Sequence, residues 1–449
     1  MKDYITIIGG GLAGAEAAYQ ISKRNIKVKL YEMKPKKFSP AHKNSNLAEI
    51  VCSNSLKSNL ITNACGLLKQ ELRYLDSLLI KIADKTSVPA GQALAVDREI
   101  FSKMVTEEIE KNKNIEVIRK ECENIEEDGI TIIATGPLTS EKMEKEISKI
   151  TGQDKLHFFD AAAPILTKDS INFNIAFYGN RYEQEKKSNE SDCEWKLRLD
   201  NKSNESYINL PMDEKEYITF YNELVRAETV TLHEFEKNEI FEGCMPIEIM
   251  AKRGIETLRF GPLKPVGFDD PRTGKRPYAI VQLRQDNKQG TIYNMVGFQT
   301  NLKFGEQKRV FKLIPGLENV EFVKYGVMHR NTYINSTKLL DETYNLKSNN
   351  NIYFAGQITG VEGYVESISS GMVAALNACE RFLKTNKKII FSEKTMIGAL
   401  AKYISTENNN FQPMNANFGI LPELEEKIKD KKERYKKIGE RALDNLNFM

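Results

Sequence analysis

The chain has 449 residues, 41% of them hydrophobic and 28% charged, a composition typical of a globular protein with two or three domains. It contains no run of roughly 20 apolar residues, which excludes a membrane helix, and its formal charge of +3 does not by itself indicate a nucleic-acid partner. The absence of a secretory leader predicts a cytoplasmic protein. Six cysteines without a CxxC spacing predict free thiols and no metal site. The lack of a long apolar run predicts that no membrane is a partner.

The first 32 residues predict a βαβ unit. Residues 3–8 are typical of a buried strand, residues 15–24 of a helix with a small apolar face, and residues 27–31 of a second strand. Between the first strand and the helix lies a glycine-rich turn with the spacing GxGxxG. The turn consists of Gly9, Gly10, Gly11, Leu12, Ala13 and Gly14.

This arrangement of strand, glycine turn and helix predicts a dinucleotide site. Gly9 permits the tight turn, Gly11 lets the backbone approach a pyrophosphate, and Gly14 lets the helix pack closely on the strand. The helix N-terminus offers unpaired N–H groups to phosphates. At the end of the second strand, Glu32 can accept hydrogen bonds from ribose hydroxyls and would repel a 2′-phosphate, which argues against NADP at this site.

A second glycine-rich turn occurs late in the chain. Residues 130–135 predict another strand leading to Gly136, and residues 351–355 predict a strand followed by Gly356, Gln357 and Gly363 and by a helix over 364–383. A late turn of this kind suits a long cofactor that spans the domain, which favours FAD over NAD. We therefore count these four residues among the predicted cofactor contacts.

The predicted fold class is α/β, with a Rossmann-like FAD-binding domain that is discontinuous in sequence and an inserted mixed α+β domain. The first part of the FAD-binding domain is assigned to residues 1–152, the insertion to 153–325 and the second part to 326–449. Alternating patterns at 278–283 and 291–298 predict strands within the insertion.

Two further segments have sequence patterns that predict secondary structure. Residues 183–206 contain the sequence Lys-Ser-Asn-Glu-Ser twice and predict a protruding β-hairpin with polar flanks, with a disordered loop as the alternative. The end of the chain predicts an amphipathic helix with a basic opposite face, from apolar residues spaced by three or four positions. These are Leu421, Leu424, Ile428, Tyr435, Ile438, Ala442 and Leu446.

Several long segments resemble the FAD- and folate-dependent RNA (uracil-5-)-methyltransferases. The most specific are Val-Cys-Ser-Asn-Ser at 51–55 and Phe-Glu-Gly-Cys-Met-Pro-Ile-Glu at 241–248, together with the glycine turn, 87–91 and 354–371. The resemblance covers nearly the whole chain apart from 183–206, where this sequence is longer. The usual member of the family methylates the T-loop uridine of tRNA.

The resemblance implies chemistry that joins NAD(P)H, FAD and 5,10-methylenetetrahydrofolate, in which the folate methylene is passed to C5 of uracil and reduced to a methyl group. It also implies that Cys244 is the nucleophile that adds to C6 of uracil and that Cys52 is an auxiliary thiol near the flavin. Addition of a thiolate at C6 makes C5 nucleophilic, and cysteine suits this task once its pKa is lowered. The remaining thiols, Cys65, Cys122, Cys193 and Cys379, are expected to be inert core residues.

The RNA partner and the finer specificity stay open at this point. Basic candidates for RNA contact are Lys252-Arg253, Lys275-Arg276, Arg284 and the basic face of the C-terminal helix, while His42 and His329-Arg330 could touch folate or phosphate. A tRNA is favoured, and a uridine of 23S ribosomal RNA is the alternative. Other readings are a wobble-uridine tRNA-modifying FAD enzyme, which would be longer, a flavin oxidoreductase acting on a small molecule, and a non-catalytic FAD-stabilised RNA-binding protein.

Overall fold

The structure is a computed structural model that describes residues 2–126, 128–153, 156–181, 207–230, 245–409 and 411–446, with the backbone alone for 156–160, 329 and 330. In chain order the strands are β1 (Tyr4–Ile8), β2 (Lys27–Glu32), β3 (Ser55–Ser58), β4 (Ser87–Val88), β5 (Ala93–Val96), β6 (Ile115–Arg119), β7 (Thr131–Ile133), β8 (Leu156–Ala161), β9 (Ile165–Thr167), β10 (Phe177–Tyr178), β11 (Ile208–Met212), β12 (Ala279–Gln285), β13 (Ile292–Met295), β14 (Phe322–Lys324), β15 (Met328–Tyr333), β16 (Asn345–Leu346) and β17 (Asn349–Phe354). The helices are α1 (Leu12–Ser22), α2 (Ala64–Tyr74), α3 (Leu78–Lys85), α4 (Arg98–Glu110), α5 (Glu141–Thr151), α6 (Glu214–Arg226), α7 (Ile247–Lys252), α8 (Thr257–Phe260), α9 (Phe304–Phe311), α10 (Ser336–Leu339), α11 (Tyr364–Phe382), α12 (Met396–Ser405) and α13 (Lys431–Asp444).

The first sheet joins the two ends of the chain. Its strand order is β16-β17-β7-β1-β2-β6, and all of its pairings are parallel except that of β16 with β17. Ile5 and Ile7 of β1 are fully buried, as expected for a parallel strand covered on both faces. The predicted α/β class and the discontinuous Rossmann-like domain are therefore confirmed. The elements predicted for this sheet and for the helices after its two glycine turns lie within three residues of the observed ones, with α1 beginning earlier, at Leu12.

A second, antiparallel sheet is built from the middle of the chain. Its order is β10-β11-β12-β13-β9-β14, and its hydrophobic core, from Leu166 to Val320, is separate from the core of the first sheet. The predicted strand at 291–298 is shorter than expected, because Gly297 has a φ of +77° and packs against Pro262 where β13 has ended. The domain boundaries at 152/153 and 325/326 stay a prediction, which the two separate cores support.

The two parts of the chain are joined by a ribbon and by polar contacts. Strand β8 pairs antiparallel with β15, so the chain leaves and re-enters the first part side by side. The segment after β12 contacts the start of α4: Arg98 Nε donates to Asp286 Oδ1 at 3.1 Å, and the Lys288 amide donates to Asp97 Oδ2 at 2.9 Å.

The C-terminal helix is shorter than predicted. It begins at Lys431, where Asp430 accepts the Glu433 amide at 2.7 Å as an N-cap, and residues 421–430 form no helix. Leu421 precedes Pro422, a position that disfavours helical backbone, yet it is still buried. The prediction of a helix over 421–430 was wrong, because apolar spacing indicates only which residues are buried. An irregular segment can bury apolar residues as well as a helix can. The predicted hairpin at 183–206 lies outside the described residues.

No helix in the part of the chain that the structure describes is long and apolar enough to cross a membrane.

The packing of α1 on α11 yields a test of the fold. A Cβ placed on Gly371 would lie 2.2 Å from the Ala13 carbonyl oxygen, so Gly371→Ala must push the two helices apart. We expect this substitution to lower the free energy of unfolding by roughly 2 to 4 kcal/mol, as measured by denaturant titration. Gly305→Ala is the matched control, since nothing lies within 4 Å of its Cβ and alanine favours the helix by about 1 kcal/mol. Equal stabilities for the two variants would contradict this packing argument.

Candidate active site

The glycine turn has two packing positions and one open position. A Cβ on Gly9, whose φ is +108°, would lie 2.4 Å from the Ala134 carbonyl oxygen, and a Cβ on Gly14 would lie 1.9 Å from the Gly9 carbonyl oxygen. Both glycines are therefore required for the close approach of strand, turn and helix. Nothing lies within 4 Å of a Cβ on Gly11, which faces open space at the start of α1.

The turn forms one wall of a cleft of about 1140 Å³, including its open mouth. Predicted cofactor contacts that line it are Gly9, Gly10, Gly11, Leu12, Ala13, Glu32, Gly136, Gly356 and Gln357. Of the others, Gly14 lies behind the turn as a packing position, and Gly363 is the N-cap of α11 with a φ of +126°. A Cβ on Gly136, like one on Gly11, would meet nothing within 4 Å. The open backbone at the N-terminus of α1 fits the pyrophosphate of a dinucleotide, and a cleft of this size can hold FAD.

Glu32 is buried at the side of this cleft and holds the backbone around it. Its Oε2 accepts the Gly10 amide at 3.1 Å, and its Oε1 accepts the Lys34 amide at 2.9 Å. A carboxylate retains further lone pairs after accepting two hydrogen bonds, so contact with ribose hydroxyls is still available. The structure thus adds a task that the sequence did not indicate: Glu32 fixes the turn as well as facing the cofactor position.

Cys52 lies in a loop beside the cleft, between Val51, which lines the cleft, and Ser53. The amides of Cys52 and Ser53 donate to the Tyr364 hydroxyl oxygen at 2.9 and 3.1 Å, and Tyr364 also lines the cleft. Burial raises the pKa of Tyr364, which keeps its phenol neutral. The first residue of α11 therefore positions the thiol loop. This role of Tyr364 was not predicted from the sequence, although Tyr364 directly follows Gly363 in a segment that carried the resemblance.

Arg284 of β12 holds the same loop from the other side. Its Nε donates to Asn54 Oδ1 at 3.0 Å and its Nη2 to Ser53 Oγ at 2.6 Å, while Asn54 Nδ2 donates to the Gln285 carbonyl at 2.9 Å. Burial lowers the pKa of Arg284. The expectation that Arg284 contacts RNA was wrong, because only 8% of it is exposed and its donors are engaged inside the protein.

Two cations meet at the Val51 carbonyl, directly before Cys52. Arg98 Nη1 donates to it at 3.0 Å and Lys324 Nζ at 3.3 Å. Burial, followed by the charge of Arg98, lowers the pKa of Lys324, which also interacts electrostatically with Cys52. Positive charge beside a cysteine favours its thiolate form. Neither cation is marked by a motif in the sequence, and only the fold brings them together.

The other thiols differ in their surroundings. Cys65 and Cys379 are buried, which raises the pKa of Cys65 to about 11 and that of Cys379 to about 12, so the expectation of inert core thiols agrees with their placement. Cys122 was expected in the core but is half-buried and lines the cleft, with its Sγ donating to the Asn124 carbonyl. Cys193 and Cys244 lie outside the described residues.

The chain on either side of 231–244 is anchored in one place. The Val230 amide donates to the Asn301 carbonyl at 2.9 Å, and the Ile247 amide donates to the Gln299 carbonyl at 2.7 Å. Met245, which follows Cys244 in the sequence, is buried. The described ends of this segment therefore both lie beside residues 299–301.

The residues predicted to contact folate, phosphate or RNA lie in different surroundings. His42 lines the cleft, and its Nδ1 lies 2.5 Å from Ser39 Oγ. Four basic residues named above as candidates for RNA contact are exposed and therefore accessible to an RNA: Lys252, Arg253, Lys275 and Arg276. The side chains of His329 and Arg330 are not described.

Comparison with known proteins identifies the family of this chain. The model of the family described as Glucose inhibited division protein A matches residues 4–386. Methylenetetrahydrofolate–tRNA-(uracil-5-)-methyltransferase TrmFO of Acetivibrio thermocellus is 59% identical over 447 residues, covering 99% of this chain and 98% of the relative. TrmFO of Fusobacterium nucleatum is 55% identical over 446 residues, covering 99% and 98%. The chain belongs to both of these families.

The family assignment confirms the resemblance noted in the sequence. Among solved structures, that of Aquifex aeolicus GidA superposes with a TM-score of 0.69 at 14% identity, covering 99% of this chain and 73% of that chain. At this identity the likeness shows the fold alone.

The open position in the glycine turn makes a first prediction for the site. In Gly11→Val the new side chain enters the cleft without touching protein, so we expect the flavin content of the purified protein to fall at least about tenfold while the melting temperature of the apoprotein is unchanged. Visible absorbance measures the first quantity and calorimetry the second. Gly305→Val, at an exposed glycine that does not line the cleft, is the control. Normal flavin content in Gly11→Val would contradict a pyrophosphate at this turn.

The Arg284 contacts make a second prediction. Arg284→Lys keeps the charge but cannot reach both Ser53 Oγ and Asn54 Oδ1, and a buried acceptor left without a donor costs about 1 to 3 kcal/mol. We expect methylation by this variant to slow at least about tenfold and alkylation of Cys52 to change in rate, while flavin content is kept. Arg226→Lys, at an exposed arginine at the end of α6 in the same part of the chain, should leave both rates unchanged. If Arg284→Lys methylated RNA at the rate of the parental enzyme, Arg284 would have no role in positioning the Cys52 loop.

Proposed function

We propose that this protein methylates C5 of a uridine in tRNA, with 5,10-methylenetetrahydrofolate as the carbon donor and FAD reduced by NAD(P)H as the source of hydride. The proposal is supported by relatives that are 54–59% identical over nearly the whole chain and share the name methylenetetrahydrofolate–tRNA-(uracil-5-)-methyltransferase. The structural observation that carries it is the Cys52 loop, held by Tyr364 and Arg284 beside a cleft that fits a dinucleotide.

We assign Cys244 as the nucleophile for uracil and Cys52 as the auxiliary thiol. A thiolate that bonds to C6 pushes electron density onto C5, which then attacks the one-carbon unit. The bond from that carbon to its carrier nitrogen breaks, and the folate is released as tetrahydrofolate. Removal of the C5 proton and elimination of the thiolate restore the ring, and two electrons with a proton from NAD(P)H are needed to convert methylene to methyl. FAD supplies the hydride-transfer chemistry that this reduction requires.

The surroundings of Cys52 suit a thiol that handles a proton. Arg98 and Lys324 place positive charge at the carbonyl before it, and the neutral Tyr364 phenol fixes the backbone on both sides of the Cys52–Ser53 peptide. The backbone of Cys52 is therefore held beside the cleft proposed for the flavin, with positive charge at the carbonyl of the preceding residue. Reduced thiols also fit the proposed cytoplasmic location.

The glycine turn, Glu32 and the late turn are assigned to the cofactor. In this proposal Gly9, Gly10, Gly11, Leu12 and Ala13 line the pyrophosphate site, with Gly14 packed behind the turn, and Glu32 binds ribose. Gly136, Gly356 and Gln357 contact the remainder of FAD, and Gly363 caps the helix that begins with Tyr364. The size of the cleft and the open position at Gly11 support this assignment.

The proposed substrate position is the T-loop uridine of tRNA. Mapping of 5-methyluridine in total tRNA and ribosomal RNA after deletion of the gene tests it, and we expect the mark to vanish from the T loop. Loss from 23S ribosomal RNA alone would contradict a tRNA substrate. Restoration by the plasmid-borne gene controls for indirect effects.

The nucleophile assignment makes a sharper prediction. In Cys244→Ala we expect methylation to fall at least about a thousand-fold, because no covalent activation of C5 is available, while flavin content stays normal. An RNA with 5-fluorouridine at the target lacks the C5 proton, so parental enzyme and Cys52→Ala should accumulate a covalent RNA adduct on denaturing gels and Cys244→Ala should not. Cys379→Ala, a core thiol, controls for removal of a sulfur. A Cys244→Ala enzyme that methylates at the normal rate would end the assignment.

A further inference from the structure

Three aromatic rings run from the core of the antiparallel-sheet part to its surface. Phe304, the first residue of α9, stacks on Tyr325 with a centroid distance of 5.0 Å and an interplanar angle of 19°. Tyr325 in turn stacks on Phe322 at 5.1 Å and 29°, and Phe322 contacts the buried Phe311. The outermost ring, Phe304, is 55% exposed. An exposed phenylalanine held parallel to a second ring offers one free aromatic face to solvent.

The rings are held in a fixed relation by Gln307, one turn further along α9. Its Nε2 donates to the Gly326 carbonyl at 2.9 Å, and its Oε1 accepts the Gly326 amide at 2.8 Å. Gly326 is the residue directly after Tyr325, and Gln307 lies one helical turn after Phe304. This pair of hydrogen bonds therefore holds the two segments that carry the rings together. A surface that is ordered in advance loses little side-chain entropy when it binds.

The stacked pair is connected to residues that precede or flank both proposed thiols in the sequence. On one side Lys324, the residue before Tyr325, reaches the Val51 carbonyl next to Cys52. On the other side residues 299–301, shortly before Phe304, anchor Val230 and Ile247, which flank the segment that contains Cys244. Phe304 and Tyr325 therefore belong to segments that contact the chain directly before Cys52 and at both described ends of the segment that contains Cys244.

Positive charge follows the ring along the helix. Lys308 and Lys312 stand four and eight residues after Phe304, and this spacing places them on the same face of the helix and its C-cap. Lys308 is exposed and Lys312 is half-buried. The neighbouring Arg309 instead pairs with Glu306 and Glu223. An aromatic face followed by lysines is complementary to a nucleobase followed by its phosphates.

We propose that Phe304 and Tyr325 form a stacking platform for an unpaired nucleobase next to the target uridine, with Lys308 and Lys312 beside the adjoining phosphates. The inference rests on the proposed function, since it assigns the binding surface for that RNA substrate. A uridine that leaves a folded loop loses the free energy of stacking on its neighbouring bases. Stacking of an adjacent base on Phe304 compensates part of that loss. Stacking tolerates any base, so this surface contributes affinity and not sequence choice.

The test uses the full-length holoenzyme and an unmodified tRNA transcript. Stacking on an aromatic side chain accounts for about tenfold or more in affinity, so Phe304→Ala should raise the KM for tRNA by at least about tenfold and leave NAD(P)H-driven flavin reduction without RNA unchanged. Phe304→Tyr should restore the KM because it keeps the ring, whereas Phe304→Leu should not. Phe173→Ala is the matched control, because Phe173 is also an exposed ring stacked on a tyrosine, Tyr178, at the opposite edge of the same sheet.

A binding measurement separates this inference from the proposed function. A T-arm RNA with 2-aminopurine next to the target uridine should lose fluorescence on binding to the parental enzyme, and Phe304→Ala and Phe304→Leu should abolish that quenching. A KM and quenching in Phe304→Ala equal to those of the parent would overturn the platform, as would full rescue by Phe304→Leu. An enzyme that quenches through Phe304 yet forms no 5-methyluridine would instead contradict the proposed function.

Discussion

The buried guanidinium of Arg284 joins the two parts of the molecule at the place where the chemistry is proposed. It comes from the antiparallel sheet and donates to Ser53 and Asn54, the two residues after Cys52. Its burial has a desolvation cost, which hydrogen bonds to neutral acceptors offset only in part. The arrangement is maintained because Asn54 also donates to the backbone of the next residue of β12. The position of the thiol loop thus depends on the correct docking of both sheets, which makes the site a property of the whole chain.

The cofactor cleft was the part most readable in the sequence. The positions of Gly9, Gly11 and Gly14 are determined by local backbone geometry, so a spacing of residues suffices to predict them, and the strand on each side is apolar enough to be recognised. Glu32 was also found, since it ends a strand that must lie next to β1 in a βαβ unit. Its hydrogen bonds to the turn could not be predicted, because they depend on side-chain orientation within the folded domain.

Long-range contacts explain what the sequence did not reveal. Tyr364, Arg98 and Lys324 lie far apart in the chain and meet around Cys52 only through the docking of α4, α11 and β14. Arg284 was misassigned for a related reason: a charged residue in a strand is expected at the surface, and only the partner loop shows why it is buried. At the C-terminus, apolar spacing predicted too long a helix because burial alone does not define secondary structure.

The central position of β7 in the first sheet has a consequence for synthesis of the protein. This strand pairs with β1 on one side and with β17 on the other, so the parallel sheet stays incomplete until residues 349–354 have been made. The antiparallel sheet, in contrast, is assembled from residues 165–324 and has a core of its own. Since domains generally fold as units while the chain emerges from the ribosome, the inserted part has all of its strands available first. The cofactor cleft, which needs Gly356 and Tyr364, closes last, and FAD binding then reports that nearly the entire chain is in place.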